Sequence, residues 1–451
     1  MDDLMRARFF AMILALAAGA GGCATYRPAP LQPATDAVLS QPDLAAAGLA
    51  ASRVNHPRLK PVAIDLAQPL TPEALGLIAV VTNPELKAAR AKAKVADAQV
   101  FDAGLLPDPS ITLGGDFLVS GPDTTNAFTS QIALDLNALR TRHVSLEIER
   151  RAREQVRLDL AWQEWQTAGQ ARLLAARIAG LGQALALDDT ARDITGRRLE
   201  RTLQAAARGD VKADEVEARR IAAAEASDKA RQAERDLEAA RLDLNRLLGV
   251  RPDTVIRIAP ATPPPAPLDV EALFAKARTE RLDLKALEAG YASQEATTRK
   301  AVMDQFPNLQ LTLTRSQDTA NNQTLGPQVN FTLPLWNRNA GGIAIARATR
   351  EQLRAEYAAR LFAARADIAD LVGALGVARR QRDELAVQVE PLTRIADATQ
   401  KAVARGDLAE AAGEAARQSV ADKTLALAGL DQSIAEQTIA LELAVGAPLN
   451  D

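Results

Sequence analysis

Histidine and cysteine are the first residues to inspect for chemistry, and this chain has two histidines and one cysteine in 451 residues. His56 and His143 stand far apart with no nucleophile beside either, and no His-Glu-x-x-His zinc helix, phosphate-binding P-loop or dinucleotide glycine pattern accompanies them. His56 reads as a residue of an extended N-terminal tether and His143 as a helix-surface residue. Neither an enzyme nor a cofactor or metal site follows. The charged residues hold more promise because they come in matched sets. Arg208-Gly209-Asp210 has a counterpart in Arg405-Gly406-Asp407, with Glu410 and Glu414 one helical turn apart beyond the second. Equivalent placement in two halves favours a structural reversal over an adhesion motif. Glycine permits the positive φ of a sharp turn, and aspartate can cap the helix that begins beyond it.

Those turns need long elements to carry them. Helical pattern runs unbroken for about 70 residues from Ala138 to Ala207, a rod of roughly 100 Å at 1.5 Å per residue. A comparable run precedes Ala404. Landmarks keep one offset between the halves: Leu134 maps to Phe331, Gly209 to Gly406 and Gly249 to Gly446. The chain is therefore expected to contain two internal repeats. Repeat 1 covers 71–258, with a strand hairpin over 109–136 and a helical tip at 207–211. Repeat 2 covers 268–451, with a hairpin over 308–335 and a tip at 404–408. The proline-rich run 259–267 is the linker between them. Thr71-Pro72-Glu73 opens the first helix of repeat 1, which breaks at Asn83-Pro84 and ends before Pro107. Pro391 lies inside the second long helix, where the first half has Ile194, and a kink is expected there.

Composition narrows the class. The chain is 47% hydrophobic but only 3% aromatic, and its long stretches are rich in alanine, which suits closely packed helical walls. A net charge of -3 does not point to nucleic acid as a partner. A single cysteine excludes an intrachain disulfide framework.

The hairpins have the period of membrane strands. Ile111, Leu113, Gly115, Phe117 and Val119 alternate with Thr112, Gly114 and Asp116; Phe128, Ser130, Ile132, Leu134 and Leu136 alternate with Gln131, Ala133 and Asp135. In the second half Leu309, Leu311 and Leu313, then Val329, Phe331, Leu333 and Leu335, form the apolar parity. Such a dyad suits lipid on one face and a polar lumen on the other. Arg315 shares the apolar parity and is expected at the bilayer rim; Pro334 is expected to end the ladder. Four strands cannot close a membrane barrel, so several copies must combine.

Near the start, Arg6 and Arg8 precede an apolar run of about ten residues, too short to cross a bilayer and suited to a signal peptide over 1–22. Ala20-Gly21-Gly22-Cys23 resembles a bacterial lipobox, which implies lipidation of Cys23 and, with Ala24 following, sorting to the outer membrane. Residues 23–70 read as a lipidated, extended tether.

Taken together, the strand pairs, long helices, repeat and lipidated start resemble the TolC-type outer-membrane efflux family. The likeness rests on Asn83-Pro84-Glu85-Leu86, Pro107 and Pro307, Leu333-Pro334-Leu335-Trp336-Asn337 leading into Gly341-Gly342, the turns at Gly209 and Gly406, and Leu248-Gly249. It implies a mostly α fold with membrane β: a homotrimeric α-helical barrel of long antiparallel helices, continuous with a 12-strand outer-membrane barrel to which each protomer gives four strands. It implies a passive exit duct for solutes, anchored in outer-membrane lipid with a periplasmic extension. The partners implied are a periplasmic adaptor, meeting the tips at Arg208, Gly209, Asp210, Arg405, Gly406 and Asp407, and a proton-driven inner-membrane transporter. It also implies an acidic pore constriction, for which Asp407, Glu410 and Glu414 are the candidates; the family's usual acid positions farther past the glycine hold Ala412 and Ala415. The alternative is a lipid-anchored periplasmic coiled-coil structural or adaptor protein, against which the strand pairs before both long helices argue.

Overall fold

A computed structural model of the chain describes residues 26–29, 44–123, 125–259 and 268–449. The expected signal peptide, Cys23 and all but the first residue of the proline-rich linker lie outside the described residues. The described residues from 44 onward cluster as one compact unit. Its elements are α1 (Leu44–Ala51), α2 (Pro72–Thr82), α3 (Pro84–Gly104), β1 (Ser110–Asp116), β2 (Ala127–Asp135), α4 (Leu136–Ala207), α5 (Ala213–Leu248), α6 (Val270–Glu280), α7 (Leu282–Met303), β3 (Leu309–Gln317), β4 (Gln323–Phe331), α8 (Ala340–Ala404) and α9 (Glu410–Val445). From α2 to α5 the order is two helices, two strands, a long helix and a shorter one; from α6 to α9 it recurs.

Local chemistry sets the boundaries. Thr71 caps α2 through Oγ1, which accepts from the Ala74 amide, and Pro72 sits where an amide would go unused. Asn83 ends α2 and starts α3: Oδ1 accepts from the Leu86 amide at 2.9 Å, while Nδ2 donates to the Leu247 carbonyl at 2.8 Å. In the second half the matching break lacks a proline. Arg281 holds it, with Nε and Nη2 on the Asp283 carboxylate at 3.0 and 2.8 Å, Nη1 on the Ala444 carbonyl, and the guanidinium over the Trp162 ring at 5.0 Å. Asp135 caps α4 through the amides of Asn137 and Ala138. From there α4 continues for 72 residues, a length of roughly 110 Å. Its counterpart α8 runs through Pro391 without ending.

The strands form one antiparallel sheet in the order β1-β2-β3-β4. Residues opposite one another share a face, and the register sorts them by polarity. Ile111, Ile132, Leu313 and Pro327 make one row, and Leu134, Leu311 and Val329 the next. The other face carries Thr112, Gln131 and Thr314, then Ser110, Ala133, Thr312 and Gln328, then Asp135, Gln310 and Asn330. Arg315 lies on the apolar face in the row before the last at the loop end, where it donates to Gln323 Oε1. Pairing stops at Phe331, three residues before Pro334.

The N-terminal segment departs from expectation. A solvated tether through residue 70 would leave residues 44–70 unpacked. Instead α1 forms, and Leu44, Val54, Leu59, Val62, Ile64 and Leu70 pack against a core of Leu75, Leu77 and Ile78 from α2, Ala171 and Ala175 from α4 and Leu244 and Leu248 from α5. Leu70 also bridges Ile258 through backbone bonds to Arg257 and Ala259. Apolar burial decides the outcome, at ~25 cal/mol per Å², and the prolines only keep most of the segment non-helical.

Alanine and glycine let the long helices close up. A Cβ added at Gly169 would stand 2.7 Å from Leu443 Cγ across the contact of α4 with α9. Gly169→Ala is therefore expected to overpack this contact at about 1–3 kcal/mol and lower the unfolding midpoint of the detergent-extracted protein. Gly182→Ala, with open space at the same atom, should not lower it.

Candidate functional site

The ends of the helical hairpins repeat one motif in atomic detail. After α4, the Gly209 amide donates to the Ala206 carbonyl and the Asp210 amide to the Ala205 carbonyl, both at 2.9 Å, with Gly209 at φ +81°. After α8, Gly406 at φ +80° donates to Val403 and Asp407 to Ala402, again at 2.9 Å. This crossed pair of bonds is the Schellman closure of a helix, and it needs a residue that tolerates the left-handed region. Arg208 Nε donates to Asp210 Oδ2 at 3.0 Å, and Arg405 Nε to Asp407 Oδ2 at 2.8 Å. The aspartates thus turn back onto the arginine across the glycine. The sequence suggests that they cap the next helix, but the N-cap positions of α5 and α9 are Lys212 and Ala409, neither with a side-chain cap. The reversal leaves two further residues after each aspartate, so its carboxylate is out of reach of the amides of the new helix.

The acids of the expected constriction each lie against an arginine of the same chain. Glu414 is buried and pairs with Arg198 and Arg201, both on α4, with Arg201 Nη2 at 3.1 Å from Oε1. Glu410 pairs with Arg201 as well, and Asp407 with Arg405. Each of the three candidates therefore has a guanidinium partner, and two of them bind one long helix of the first half to the return helix of the second. The arginines were missed in sequence. Their spacing, i and i+3, is the signal that could have found them, since it puts both on one helix face.

The sheet supplies the other functional surface. Ile111, Leu113, Ile132, Leu311, Leu313, Leu325, Val329 and Phe331 are exposed on one face. On the opposite face the strand residues include Asp116 and Asp135 and no lysine or arginine. Both sheet edges, β1 and β4, are unpaired among the described residues. No described helix is long and apolar enough to cross a membrane. Among the described residues there is no cluster of metal-ligating side chains.

Comparison with known proteins finds a family match over part of the chain and a shared fold over most of it. Residues 273–447 match the family described as Outer membrane efflux protein. The fold of the chain is similar to a membrane protein from Pseudomonas aeruginosa (TM-score 0.70, 17% identity, 87% of this chain and 99% of that one). It is also similar to the outer membrane protein VceC of Vibrio cholerae (0.67, 16%, 84% and 96%) and the CmeC outer membrane channel of Campylobacter jejuni (0.67, 15%, 83% and 85%). No curated protein sequence matches it. The chain is mostly helical with a small antiparallel sheet, the fold it shares with those structures.

His143 is exposed on α4, as expected, but His56 is not a tether residue in solvent. It is 8% exposed; Nδ1 accepts from the amides of Arg58 and Leu59 at 3.0 and 3.1 Å, and Nε2 donates to the Ala161 carbonyl of α4 at 2.8 Å. Arg58 next to it donates to the Glu280 carbonyl and pairs with its carboxylate. Two amides on Nδ1 require the neutral ring. Burial lowers the pKa of His56 below its ordinary value, against the opposing bond to Ala161 and the charge of Glu164. A docked state with the lower pKa loses stability as pH falls through the undocked value of about 6.5, by at most ~1.4 kcal/mol per pH unit. Amide exchange over residues 56–64, corrected for intrinsic rate, should accelerate between about pH 8 and about pH 5. His56→Gln should lose that pH dependence.

Proposed function

We propose that three copies of this efflux protein assemble a twelve-stranded barrel in the outer membrane and a helical tunnel through the periplasm. The assembly is a passive exit duct for solutes delivered by an inner-membrane transporter through an adaptor. The observation that carries this reading is the sheet: four strands of seven to nine residues, two open edges, one exposed apolar face and one polar face without cations. Three of the four strands reach nine residues, enough for a tilted strand to cross a bilayer, and open edges cannot be left in lipid. The two halves act as internal repeats, each giving one strand hairpin and one helical hairpin. Cys23 carries the lipid that anchors the N-terminus, and the tips at Arg208–Asp210 and Arg405–Asp407 are the surface an adaptor meets.

The clamp of Arg198 and Arg201 on Glu410 and Glu414 supports a specific gate. It ties the second helical hairpin to the first, so an iris-like opening at the tips has to break it. A buried ion pair broken on one side costs about 3–5 kcal/mol, which would shift a closed-to-open equilibrium roughly a hundredfold or more.

Two measurements test this reading. Unheated protein should migrate as a trimer that heating converts to monomer, and reconstituted protein should conduct with a mild preference for cations; a monomer without conductance would overturn the reading. Replacing Arg198 and Arg201 together with alanine should raise single-channel conductance, while Asp407→Ala, whose partner lies in its own turn, should leave it unchanged. Equal conductance of all three proteins would remove the clamp from the gate.

A further inference from the structure

One cluster lies outside the tips and the strand faces. At the helix-side end of the sheet, β4 leads through Leu333 and Leu335 to Trp336, Asn337, Arg338 and Asn339 before α8 begins. Trp336 is 92% exposed, the largest exposure of any aromatic residue described. Arg338 and Asn339 both occupy the left-handed region, at φ 42° and 51°. For asparagine that is tolerable, but for arginine it is a sparsely populated state that persists only where the surroundings impose it. The turn is held from both sides: Asn339 Nδ2 donates to the Ala301 carbonyl at 2.8 Å, and the Ala340 amide to the Asn337 carbonyl.

Arg140 reaches the same place from α4. Its Nη2 donates to the Met303 carbonyl at 3.0 Å, so Arg140 and Asn339 bracket the last turn of α7. Its guanidinium lies 5.6 Å from the ring centroid of Phe306, which is itself 66% exposed. Among the described residues neither Arg140 nor Arg338 forms an ion pair, although the neighbouring Arg299 and Lys300 pair with Glu147 and Asp304. Of the nearby acids, Asp135 caps α4 and Asp304 holds Lys300. Asp102 lies in the last turn of α3 and Asp108 in the connection to β1, and between them Arg142 donates to the carbonyls of Gly104 and Leu105.

Two uncompensated guanidiniums therefore stand beside two exposed aromatic rings, directly below the last apolar rows of the sheet, Leu309 with Phe331 and the exposed Leu333 and Leu335. Aromatic rings with one wet edge settle where acyl chains give way to headgroups, and guanidinium is suited to phosphate oxygens. We infer that the Leu335–Asn339 turn, with Arg140, binds the phosphate headgroup of an anionic phospholipid of the phosphatidylglycerol class in the periplasm-facing leaflet. The inference rests on the membrane-barrel reading above. Trp336 fixes the depth, and Arg338 and Arg140 supply the charge.

The test uses the full chain in vesicles of phosphatidylcholine alone or of equal parts phosphatidylcholine and phosphatidylglycerol. The protein is then extracted, and the lipid it retains is counted by native mass spectrometry. Phosphatidylglycerol should be retained in preference to phosphatidylcholine. At about fivefold per arginine, Arg140→Gln or Arg338→Gln should each cut the preference by that factor, and the double variant by roughly 25-fold. The double lysine variant should keep most of it, and Arg220→Gln, on α5 away from the sheet, all of it. Retention in proportion to vesicle composition, or a preference that survives in the double glutamine variant, would overturn the inference. A protein that enters vesicles of neither composition would overturn the membrane-barrel reading itself.

Discussion

An unpaired backbone amide or carbonyl in hydrocarbon costs several kcal/mol, and the sheet of this protein has two edges full of them. Among the described residues β1 and β4 pair with nothing outside the sheet, yet the face they share with β2 and β3 is apolar and exposed. A chain built this way cannot satisfy its strands in a bilayer alone. Either the edges meet those of other copies or the strands stay out of lipid, and the apolar face argues against the second course. The helical part presents the same incompleteness. Ile345, Phe362, Val387 and Ile395 of α8 are all more than half exposed, a set of side chains that the proposed trimer would cover with a neighbouring wall.

Charge placement follows a complementary rule. At the tips each acid is neutralised within reach: Asp210 and Asp407 by the arginine two residues back, Glu410 and Glu414 by arginines on α4. The local pairs are exposed and contribute little, about 0–1 kcal/mol each. The pair at Glu414 is different because its carboxylate is buried, so its worth lies in the penalty for separating it. Short-range pairs therefore shape the turns while the buried pair couples the two halves. The opposite end of the helices has unpaired cations beside exposed aromatic rings, an arrangement suited to an interface with a charged surface.

Much of this was legible in the sequence because the signals are local. Period-two alternation located all four strands, the glycine turns located both tips, and Asn83-Pro84 located the first helix break. What escaped depends on contacts between distant residues. The packing of 44–70 was hidden because Val54, Leu59, Val62 and Ile64 follow no helical or strand period, and prolines between them look like a tether. His56 was hidden for the same reason, its partner being a carbonyl 105 residues away. The role of Glu414 needed Arg198, 216 residues away. Asp210 and Asp407 failed as caps because two extra residues separate each from its helix, a geometric detail that composition does not carry.

The family signature covers only residues 273–447, although the first half has the same order of elements and the same closing bonds at its tip. In the second half Gly446 stacks on Arg281, and in the first Gly249 stacks on Pro84 and the Thr82 carbonyl. Both glycines have positive φ, and both leave room at the break between the two leading helices. The break itself is made by unlike means, a proline and an asparagine cap in one half and a buried arginine–aspartate pair in the other. What the halves share is a constraint on backbone approach and turn geometry, which only a few residue types satisfy. The chemistry filling the space around it is free to differ, so the fold stays recognisable where side-chain identity has drifted beyond a match.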